Sequence, residues 1–551
     1  MADHEHLPPR NLWPARIYTL PEFAAYPDRL NPTEELLDKA VAAGRGDRTA
    51  ILFEDQRITY AQLLAQANKL GNALRQLGVR EGDRVILRSP NIPPALVTNF
   101  AVLKLGAVLT PTSPLFSRGE IAHVANDSEA VAIIVHAALL SEVEAARGEL
   151  TTVENIIVIG GEPPALKAKG YIPYGELLQS GSADLDPVRR NRQDLGLLLY
   201  TSGTTGRPKV TVHFVDETLI IPDSFGKYGW RITENDVIGG TAPLAFGAGY
   251  STFATIPFRF GAAASLISKF EPEKVFETIA KHRITVLSLA PTAYRKMLQV
   301  PDAEKKYDLS SLRICTGGGE SLTAQTYHAW KAKFGQDIFE GLGTTEMMYV
   351  FTSNVVNLKA RAGSFGQAVP GYEIKVVDED GHEAPPGKAG HFVCRGPTGT
   401  IYWGDPEKQR HVVTPDGWNR AGDFVYADED GYFWFVSRED DVIKSSAYRI
   451  GPEEIEHTLN SHPAVAEAAV VGVPDEVRGQ IAKAFVVLKP GETVKPEELI
   501  EYCRGKIATY KLPREVELVK ELPRTPTGKL LRRLLRQTDA SAATVKAGAP
   551  H

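Results

Sequence analysis

Residues Thr201 to Lys209, Thr-Ser-Gly-Thr-Thr-Gly-Arg-Pro-Lys, bring hydroxyl groups, glycines and two cations together in one short stretch. Glycine lets a backbone approach a ligand closely and adopt unusual dihedral angles. Hydroxyl and backbone N–H groups donate to oxyanions, while Arg207 and Lys209 offset negative charge. The stretch is therefore suited to bind phosphate groups, although the same residue types also form surface turns. Its glycine–lysine spacing differs from that of a Walker A loop.

In a second stretch, Glu340-Gly-Leu-Gly-Thr-Thr-Glu346, two glycines are followed by two hydroxyl side chains and a carboxylate. Thr345 can donate a hydrogen bond to a phosphate oxygen. Glu346 can bind Mg²⁺, which prefers one or two carboxylates together with phosphate oxygens. Taken alone, the string is equally consistent with a glycine turn followed by a helix cap.

Together, the two stretches resemble the nucleotide motifs of the adenylate-forming superfamily, which includes the acyl-CoA synthetases. The resemblance extends over about residues 30 to 535. Residues 339–354 look like benzoate-CoA ligases, and residues 213–297 are similar to 2-aminobenzoate-CoA ligases. The resemblance implies an ATP-dependent acid–thiol ligase that forms an acyl-adenylate and then an acyl-CoA thioester. Its cofactors would be ATP, Mg²⁺ and coenzyme A.

The resemblance favours an aryl acid such as benzoate or 2-aminobenzoate as the substrate. Two alternatives remain open. One is the same reaction on a small branched or 2-hydroxy aliphatic acid, such as 2-hydroxyisobutyrate. The other is a standalone adenylation enzyme that loads a carrier protein.

The same resemblance assigns roles residue by residue. The nucleotide-binding residues it implies are Thr201, Ser202, Gly203, Thr204, Thr205, Gly206, Lys209, Gly318, Gly319, Glu320, Glu340, Gly341, Leu342, Gly343, Thr345, Asp423, Phe435 and Arg438. The acyl-binding residues are His213, Ala245, Phe246, Gly247, Gly249, Thr316, Gly317 and Gly318. For His213, packing inside the protein is an equally good interpretation, and for Phe246 a core position is the alternative.

The C-terminal residues complete the implied machinery. Lys529 matches the catalytic lysine of the family and acts with Thr345 and Glu346, the metal ligand. The CoA-binding and hinge residues are Asp440, Lys444, Ser446, Ala447, Tyr448 and Arg449. The family usually has glycine at Ala447, where the chain backs the pantetheine tunnel, so the methyl group there is a departure that bears on CoA delivery. The basic residues Arg532, Arg533 and Arg536 are predicted to form a solvated helix face.

Composition excludes several other functions. The 551 residues are 43% hydrophobic and 24% charged, with a net charge of −6, which gives no case for a nucleic-acid partner. The three cysteines are far apart and indicate reduced thiols. The N-terminus lacks a signal-peptide pattern, and no run approaches the roughly 18 apolar residues of a membrane span. We therefore predict a cytoplasmic monomer or homodimer without a membrane partner.

Strand and helix patterns alternate along most of the chain, which predicts an α/β protein. We expect a large N-terminal domain of doubly wound α/β layers with a β-rich subdomain (1–439), and a small mobile α+β C-terminal domain (440–551). Residues 1 to about 30 should lie over the surface, and 161–194 should form a loose connector. An apolar strand over Leu195–Tyr200 should lead into the phosphate stretch, and an alternating strand over Val210–Phe214 should lead out.

Overall fold

The computed structural model describes residues 5–201, 208–320, 322–445, 448–475, 477–524 and 530–537, with the backbone alone at 448 and 449. The chain forms two compact units. The first unit comprises Met1–Ile374 and Cys394–Asn419, and the second comprises Lys375–Val393 and Arg420–His551. The predicted domain boundary between residues 439 and 440 stays a prediction.

Two large sheets form the β-layers of the first unit. The seven-stranded sheet has the spatial order Lys209–Phe214, Leu195–Thr201, Val108–Pro111, Arg84–Arg88, Ala130–His136, Asn155–Ile159 and Ile172–Pro173. The nine-stranded sheet has the order Gln367–Ala368, Val350–Ser353, Ile338–Gly343, Ile314–Gly317, Val286–Leu289, Val237–Gly240, Ala263–Leu266, Thr49–Phe53 and Gln56–Thr59. A two-stranded ribbon pairs Arg29–Leu30 with Arg190–Asn191.

Helices connect most of these strands. The α-helices of the first unit are Pro21–Ala24, Tyr60–Gln76, Pro93–Lys104, Arg118–Asp127, Leu140–Ala146, Pro163–Ala168, Tyr174–Ser180, Glu217–Ile221, Gly247–Tyr250, Ile256–Phe260, Pro272–His282, Pro291–Leu298, Ala303–Lys306, Ala324–Phe334 and Pro406–Val412. Wider π-type turns occur at Glu34–Asp38, Val41–Arg45, Pro222–Gly229 and Ser251–Thr255. The Tyr60–Gln76 helix begins with a capping box, because Thr59 and Gln62 bond each other's backbone N–H.

Parallel strands covered by helices on both faces are mostly apolar, because both faces are buried. Every residue of Arg84–Arg88 and Val108–Pro111 is buried; in the first strand Val85–Leu87 is apolar and the two arginines stand at its ends. One core lies around the seven-stranded sheet, with Ile133, Val135 and Leu198 among its members. A second core contains Phe276, Tyr294 and Trp330. None of the helices within the described ranges is long and apolar enough to cross a bilayer.

Two smaller sheets lie mostly or wholly in the second unit. The four-stranded sheet has the order Glu373–Val377, Gly390–Arg395, Asn419–Ala427 and Phe433–Arg438. The five-stranded sheet contains Tyr448–Ile450, Ile443–Ser445, Gly479–Leu488, Val465–Asp475 and Glu515–Leu518. The α-helices Pro452–Asn460 and Pro496–Cys503 accompany the second of these sheets, and Ile455, Leu459 and Leu499 are in its core.

The predicted α/β class is confirmed, but two local expectations are wrong. Residues 161–194 are not a loose connector: they contain two helices and two short strands, and Leu166 and Tyr174 are buried. The N-terminal segment is not confined to the surface, since Phe23 and Leu30 are 0% and 1% exposed. The strand predicted over Val210–Phe214 is confirmed, and its residues are buried on both faces.

Trp330 offers a test of the second core. Its ring lies 4.8 Å from that of Tyr294 and 4.4 Å from that of Phe334. We expect Trp330→Ala to lower the free energy of unfolding by about 3–5 kcal/mol, because it removes buried contacts and leaves a cavity. Urea unfolding would measure the change. Gln325→Ala, at an exposed position of the same helix, should change it by less than about 0.5 kcal/mol. Equal effects of the two variants would contradict this view of the core.

Candidate functional site

The two ends of the phosphate stretch lie side by side. Thr201 ends the Leu195–Thr201 strand, Lys209 begins the next strand, and the two residues are directly opposed in an antiparallel pair. The Thr201 hydroxyl donates to the Lys209 carbonyl at 3.4 Å. The intervening Ser202, Gly203, Thr204, Thr205, Gly206 and Arg207 lie outside the described residues, so their phosphate contacts stay predictions.

The second motif leaves the nine-stranded sheet and enters a tight turn. Gly343 ends the Ile338–Gly343 strand, and Thr345–Met347 form a single 3₁₀ turn. The Thr344 hydroxyl starts this turn by accepting from the Met347 N–H at 3.2 Å. Glu346 is half-buried, and its carboxylate accepts a hydrogen bond of 3.1 Å from the Tyr402 hydroxyl. The turn therefore holds Glu346 at a defined position.

The predicted acyl segment packs against this turn. A Cβ atom at Gly247 would lie 2.3 Å from the Met348 carbonyl oxygen and 3.5 Å from the Cα of Thr345, so only glycine fits there. Met348 itself has a φ of +70°, which is rare for a residue with a side chain. Phe246, next to Gly247, is half-buried. The structure thus brings Phe246 and Gly247 close to Thr345.

Two other predicted acyl residues support the Gly247 segment. Ala245 is buried at 4% exposure. A Cβ atom at Gly249 would lie 2.0 Å from the Pro243 carbonyl oxygen. A side chain at Gly249 would therefore clash with the backbone, so glycine there lets the chain approach Pro243 closely.

The Thr316–Gly318 segment lies on the strand beside the second motif. Gly317 is the register partner of Glu340 in the parallel pair. A Cβ atom at Gly318 would reach 3.5 Å from the Gly341 carbonyl oxygen, while Thr316 is buried. The carboxyl ends of two neighbouring strands thus meet, as they do at ligand sites of open α/β sheets.

The two predicted nucleotide contacts Glu320 and Glu340 have other partners. Glu320 accepts hydrogen bonds from the N–H and hydroxyl of Thr292 and lies 3.4 Å from Arg295. Glu340 is buried and accepts the Leu322 N–H at 2.8 Å. Both carboxylates fasten chain segments near the strand ends. Leu342 and Gly343 are half-buried on the same strand, and Gly319 has a positive φ of 88°.

His213 is a packed residue of a buried charge cluster. Its side chain is fully buried; Nδ1 lies 2.7 Å from the Glu217 carboxylate, and Nε2 lies 3.2 Å from the Thr211 hydroxyl. Glu217 also forms an ion pair with Arg16, whose guanidinium stacks over the Phe214 ring at 4.4 Å. Of the two interpretations of His213, these contacts favour packing, and contact with the acid stays a prediction.

Burial and pairing act in opposite directions on this cluster. Burial disfavours the Glu217 carboxylate, but Arg16 and then His213 outweigh it and lower the pKa of Glu217. For Asp216, burial dominates over Arg16 and raises the pKa to about 6. Arg192 also binds Asp216, at 3.0 Å. Burial of these charges is therefore offset only while each cation stays paired with a carboxylate.

Within the second unit, Asp423 and Arg438 are partners across the Asn419–Ala427 and Phe433–Arg438 strands. Asp423 is buried and accepts a hydrogen bond from the half-exposed Arg438 guanidinium. Phe435 is half-buried on the same strand as Arg438. These three predicted nucleotide residues therefore lie together.

The predicted hinge residues follow directly along the chain. Asp440 is exposed in the Glu439–Asp441 turn. Lys444 is also exposed, and its backbone N–H donates to the Gln480 amide oxygen at 2.8 Å. The backbone of Tyr448 and Arg449 pairs with Ser445 and Lys444. Ser446, Ala447 and Lys529 lie outside the described residues.

The expectation of a solvated face for Arg532 and Arg536 is wrong. Arg532 is only 17% exposed and binds Glu456 at 2.8 Å and Asp441 at 3.2 Å. Arg536 binds the same Asp441 carboxylate. Arg533 is exposed, as predicted. Arg532 and Arg536 therefore tie the helix at 532–537 to the turn that contains the predicted pivot.

Sequence reasoning missed Tyr402 and Lys408. Tyr402 donates to Glu346, and the Lys408 ammonium lies 3.6 Å from the centroid of the Tyr402 ring. Neither belongs to a glycine-rich or hydroxyl-rich motif. The one local signal is the Asp-Pro-Glu start of a helix at Asp405, which indicates a cap but no ligand.

The charge cluster predicts a specific stability effect. Glu217→Ala would remove the carboxylate that pairs with both His213 and the buried Arg16, leaving Arg16 only the more distant Asp216 at 3.8 Å, and we expect a loss of about 3–5 kcal/mol in the free energy of unfolding. Thermal and urea unfolding would measure the loss. As a control, Lys167→Ala breaks the exposed ion pair with Glu176, which should cost less than about 1 kcal/mol. A Glu217 variant as stable as this control would show that the charge cluster contributes little to the free energy of unfolding.

Comparisons with known proteins agree with this geometry. The AMP-binding enzyme family matches residues 38–403, and the AMP-binding enzyme C-terminal domain matches residues 454–529. The benzoate–CoA ligase of Thauera aromatica is 34% identical over 97% of this chain and 99% of its own length. The acetyl-coenzyme A synthetase of Bacillus subtilis (strain 168) is 34% identical over 92% of this chain and 90% of its own length.

Solved structures give the same result. The anthranilate CoA ligase AuaEII, in complex with anthranoyl-AMP, is 34% identical with a TM-score of 0.87, covering 95% of this chain and 99% of that protein. A benzoate CoA ligase from Burkholderia xenovorans LB400 is 30% identical with a TM-score of 0.81, covering 92% and 100%. This chain belongs to the adenylate-forming acyl-CoA synthetase superfamily and is an AMP-forming acid–thiol ligase with that fold.

Proposed function

We propose that this enzyme joins an aryl carboxylic acid, benzoate or 2-aminobenzoate, to CoA. The observation that carries the proposal is the contact of Gly247 with Thr345 and Met348, which puts the predicted acyl segment against the predicted catalytic turn. Two relatives that are named for benzoate and anthranilate support the choice of acid. The enzyme acts in the cytoplasm, as a monomer or homodimer.

The first half-reaction joins the acid to AMP. The carboxylate of the acid attacks the α-phosphorus of ATP, the bond to the bridging oxygen breaks, and pyrophosphate leaves with the electron pair. Thr345 donates to the α-phosphate, and Lys209 offsets charge on the phosphate chain. Lys529 neutralises charge that develops at the α-phosphate, which is electrostatic rather than acid–base catalysis. Asp423 accepts the ribose hydroxyls beside Arg438.

Glu346 fits the role of a Mg²⁺ ligand. One carboxylate oxygen accepts the Tyr402 hydroxyl, and the other accepts no hydrogen bond from a described residue. Mg²⁺ typically takes one or two carboxylates along with phosphate oxygens and water. When bound there, the ion would offset negative charge on the phosphates.

In the second half-reaction the sulfur of the CoA thiol attacks the acyl carbon, the bond from that carbon to the phosphate oxygen breaks, AMP leaves with the electron pair, and the thiol proton passes to solvent. The C-terminal domain pivots at Asp440 between the two halves, which withdraws Lys529. AMP is a good leaving group, so the step requires no strong general base. Ala447 lies where the family usually has glycine, and its methyl group bears on this step alone.

The substrate is tested by pyrophosphate release with ATP and Mg²⁺ on benzoate, 2-aminobenzoate, 2-hydroxyisobutyrate and butyrate, each with and without CoA. We expect CoA-dependent turnover on an aryl acid. Turnover only on an aliphatic acid would keep the reaction and overturn the substrate. Release that CoA never accelerates would indicate a different acceptor, such as a carrier protein, and Ala447→Gly should then be tested for recovery of CoA use.

The role of Lys529 is tested by separating the two halves. We expect Lys529→Ala to lower the rate of adenylation by at least about 100-fold, since it removes a cation from the developing charge. The same variant should still convert a chemically supplied acyl-adenylate with CoA at a near-normal rate. Lys520→Ala, at an exposed lysine of the same unit, should affect neither half. Equal loss in both halves would contradict the assignment.

A further inference from the structure

The Lys408 side chain lies beside the phosphate site although no sequence motif includes it. It belongs to the Pro406–Val412 helix and is half-buried. Its ammonium covers the Tyr402 ring at 3.6 Å, and the hydroxyl of that ring donates to Glu346. Lys408 is also in side-chain contact with Lys209. Two lysines and one carboxylate thus converge at one place.

Backbone pairing places Lys408 there. The segment before its helix pairs with the strand that begins at Lys209, through Val212 N–H to the Ile401 carbonyl at 2.9 Å and Trp403 N–H to the Val210 carbonyl at 3.3 Å. The helix is then anchored by Gln409, which is fully buried.

Gln409 bonds the preceding segment in two directions. Its amide oxygen accepts the Tyr402 N–H at 2.9 Å, and its amide nitrogen donates to the Thr400 carbonyl at 2.8 Å. Because Gln409 is the next residue after Lys408, these bonds determine where Lys408 can lie. Buried hydrogen bonds of the fold therefore determine the position of Lys408.

Lys408 has one cation, Lys209, and two carboxylates, Glu346 and Asp405, near it. Burial and then Lys209 lower the pKa of Lys408 to about 7, while Glu346 and Asp405 oppose that change. Neither lysine forms an ion pair with another described residue. Two neighbouring cations that repel each other bind a shared polyanion strongly, because the anion removes their repulsion as well as pairing with both.

The geometry points to Lys408 as a residue that binds the pyrophosphate part of ATP together with Lys209. This inference rests on the proposed function of the same site. As the bond between the α-phosphorus and the bridging oxygen breaks, the electron pair goes to pyrophosphate. Cations on the departing side stabilise that charge, so Lys408 would act on ATP binding and on adenylation, but not on the thioester step.

The test measures binding of inorganic pyrophosphate and of ATP, each with Mg²⁺, by calorimetry without any acid or CoA. We expect Lys408→Gln to weaken pyrophosphate binding about tenfold or more, as loss of one charge-assisted contact does. Lys408→Arg should retain most of the affinity. This binding does not depend on the identity of the acid, so failure of the proposed substrate would leave the result interpretable.

Three controls separate this role from a structural one. Arg410→Gln, at an exposed position of the same helix, should bind pyrophosphate like the unaltered enzyme. Lys408→Gln should keep the unfolding temperature and the rate at which a supplied acyl-adenylate reacts with CoA. Lys209→Gln should also weaken pyrophosphate binding, and the double variant should lose less than the product of the two single effects.

Either of two results would overturn the inference. One is unchanged pyrophosphate affinity in Lys408→Gln. The other is a selective rise in the KM for CoA in the second half-reaction, which would assign Lys408 to a phosphate group of CoA instead.

Discussion

Hydrogen bonds along both edges of the Lys209–Phe214 strand determine where Thr201, Tyr402 and Lys408 lie relative to Lys209. One edge pairs with Leu195–Thr201, which places the two ends of the phosphate stretch, Thr201 and Lys209, opposite each other. The other edge meets residues 401–403, which carry Tyr402 toward Glu346 and Lys408 toward Lys209. A strand bonded on both edges cannot shift its register without losing both sets of bonds. The positions of these side chains therefore depend on one another.

Burial of the faces of the same strand requires polar partners in the core of the first unit. The strand is buried on both faces, so the His213 side chain has no path to water. A buried polar group is costly unless it is hydrogen-bonded. Glu217 satisfies His213, and Arg16 from the N-terminal segment satisfies Glu217. That chain of requirements draws a segment near the N-terminus into the interior.

In the proposed nucleotide site, local charge rather than net charge favours ATP. The protein has a net charge of −6, yet Lys209 and Lys408 lie beside each other at the strand end. Close packing around glycine adds the geometric part, because Gly247 allows the chain to touch the Thr345–Met348 turn. Electrostatic catalysis needs both features, since charges stabilise a transition state only where the fold holds them in advance.

The sequence by itself determined the α/β class, the two nucleotide motifs and the family. Runs such as Ala130–His136 are apolar because a covered parallel strand must be, and Thr345–Glu346 are chemically suited to phosphate and Mg²⁺ wherever they fold. Only the tertiary structure decided which side chains meet across distant segments. Lys408 is about 200 residues from Lys209 along the chain and belongs to no motif. The sequence predicts Arg532 to be a surface residue, because its partners Asp441 and Glu456 are distant along the chain. Burial on both faces of Val210–Phe214 likewise depends on layers contributed by other parts of the chain, so a local alternation of residue types could not reveal it.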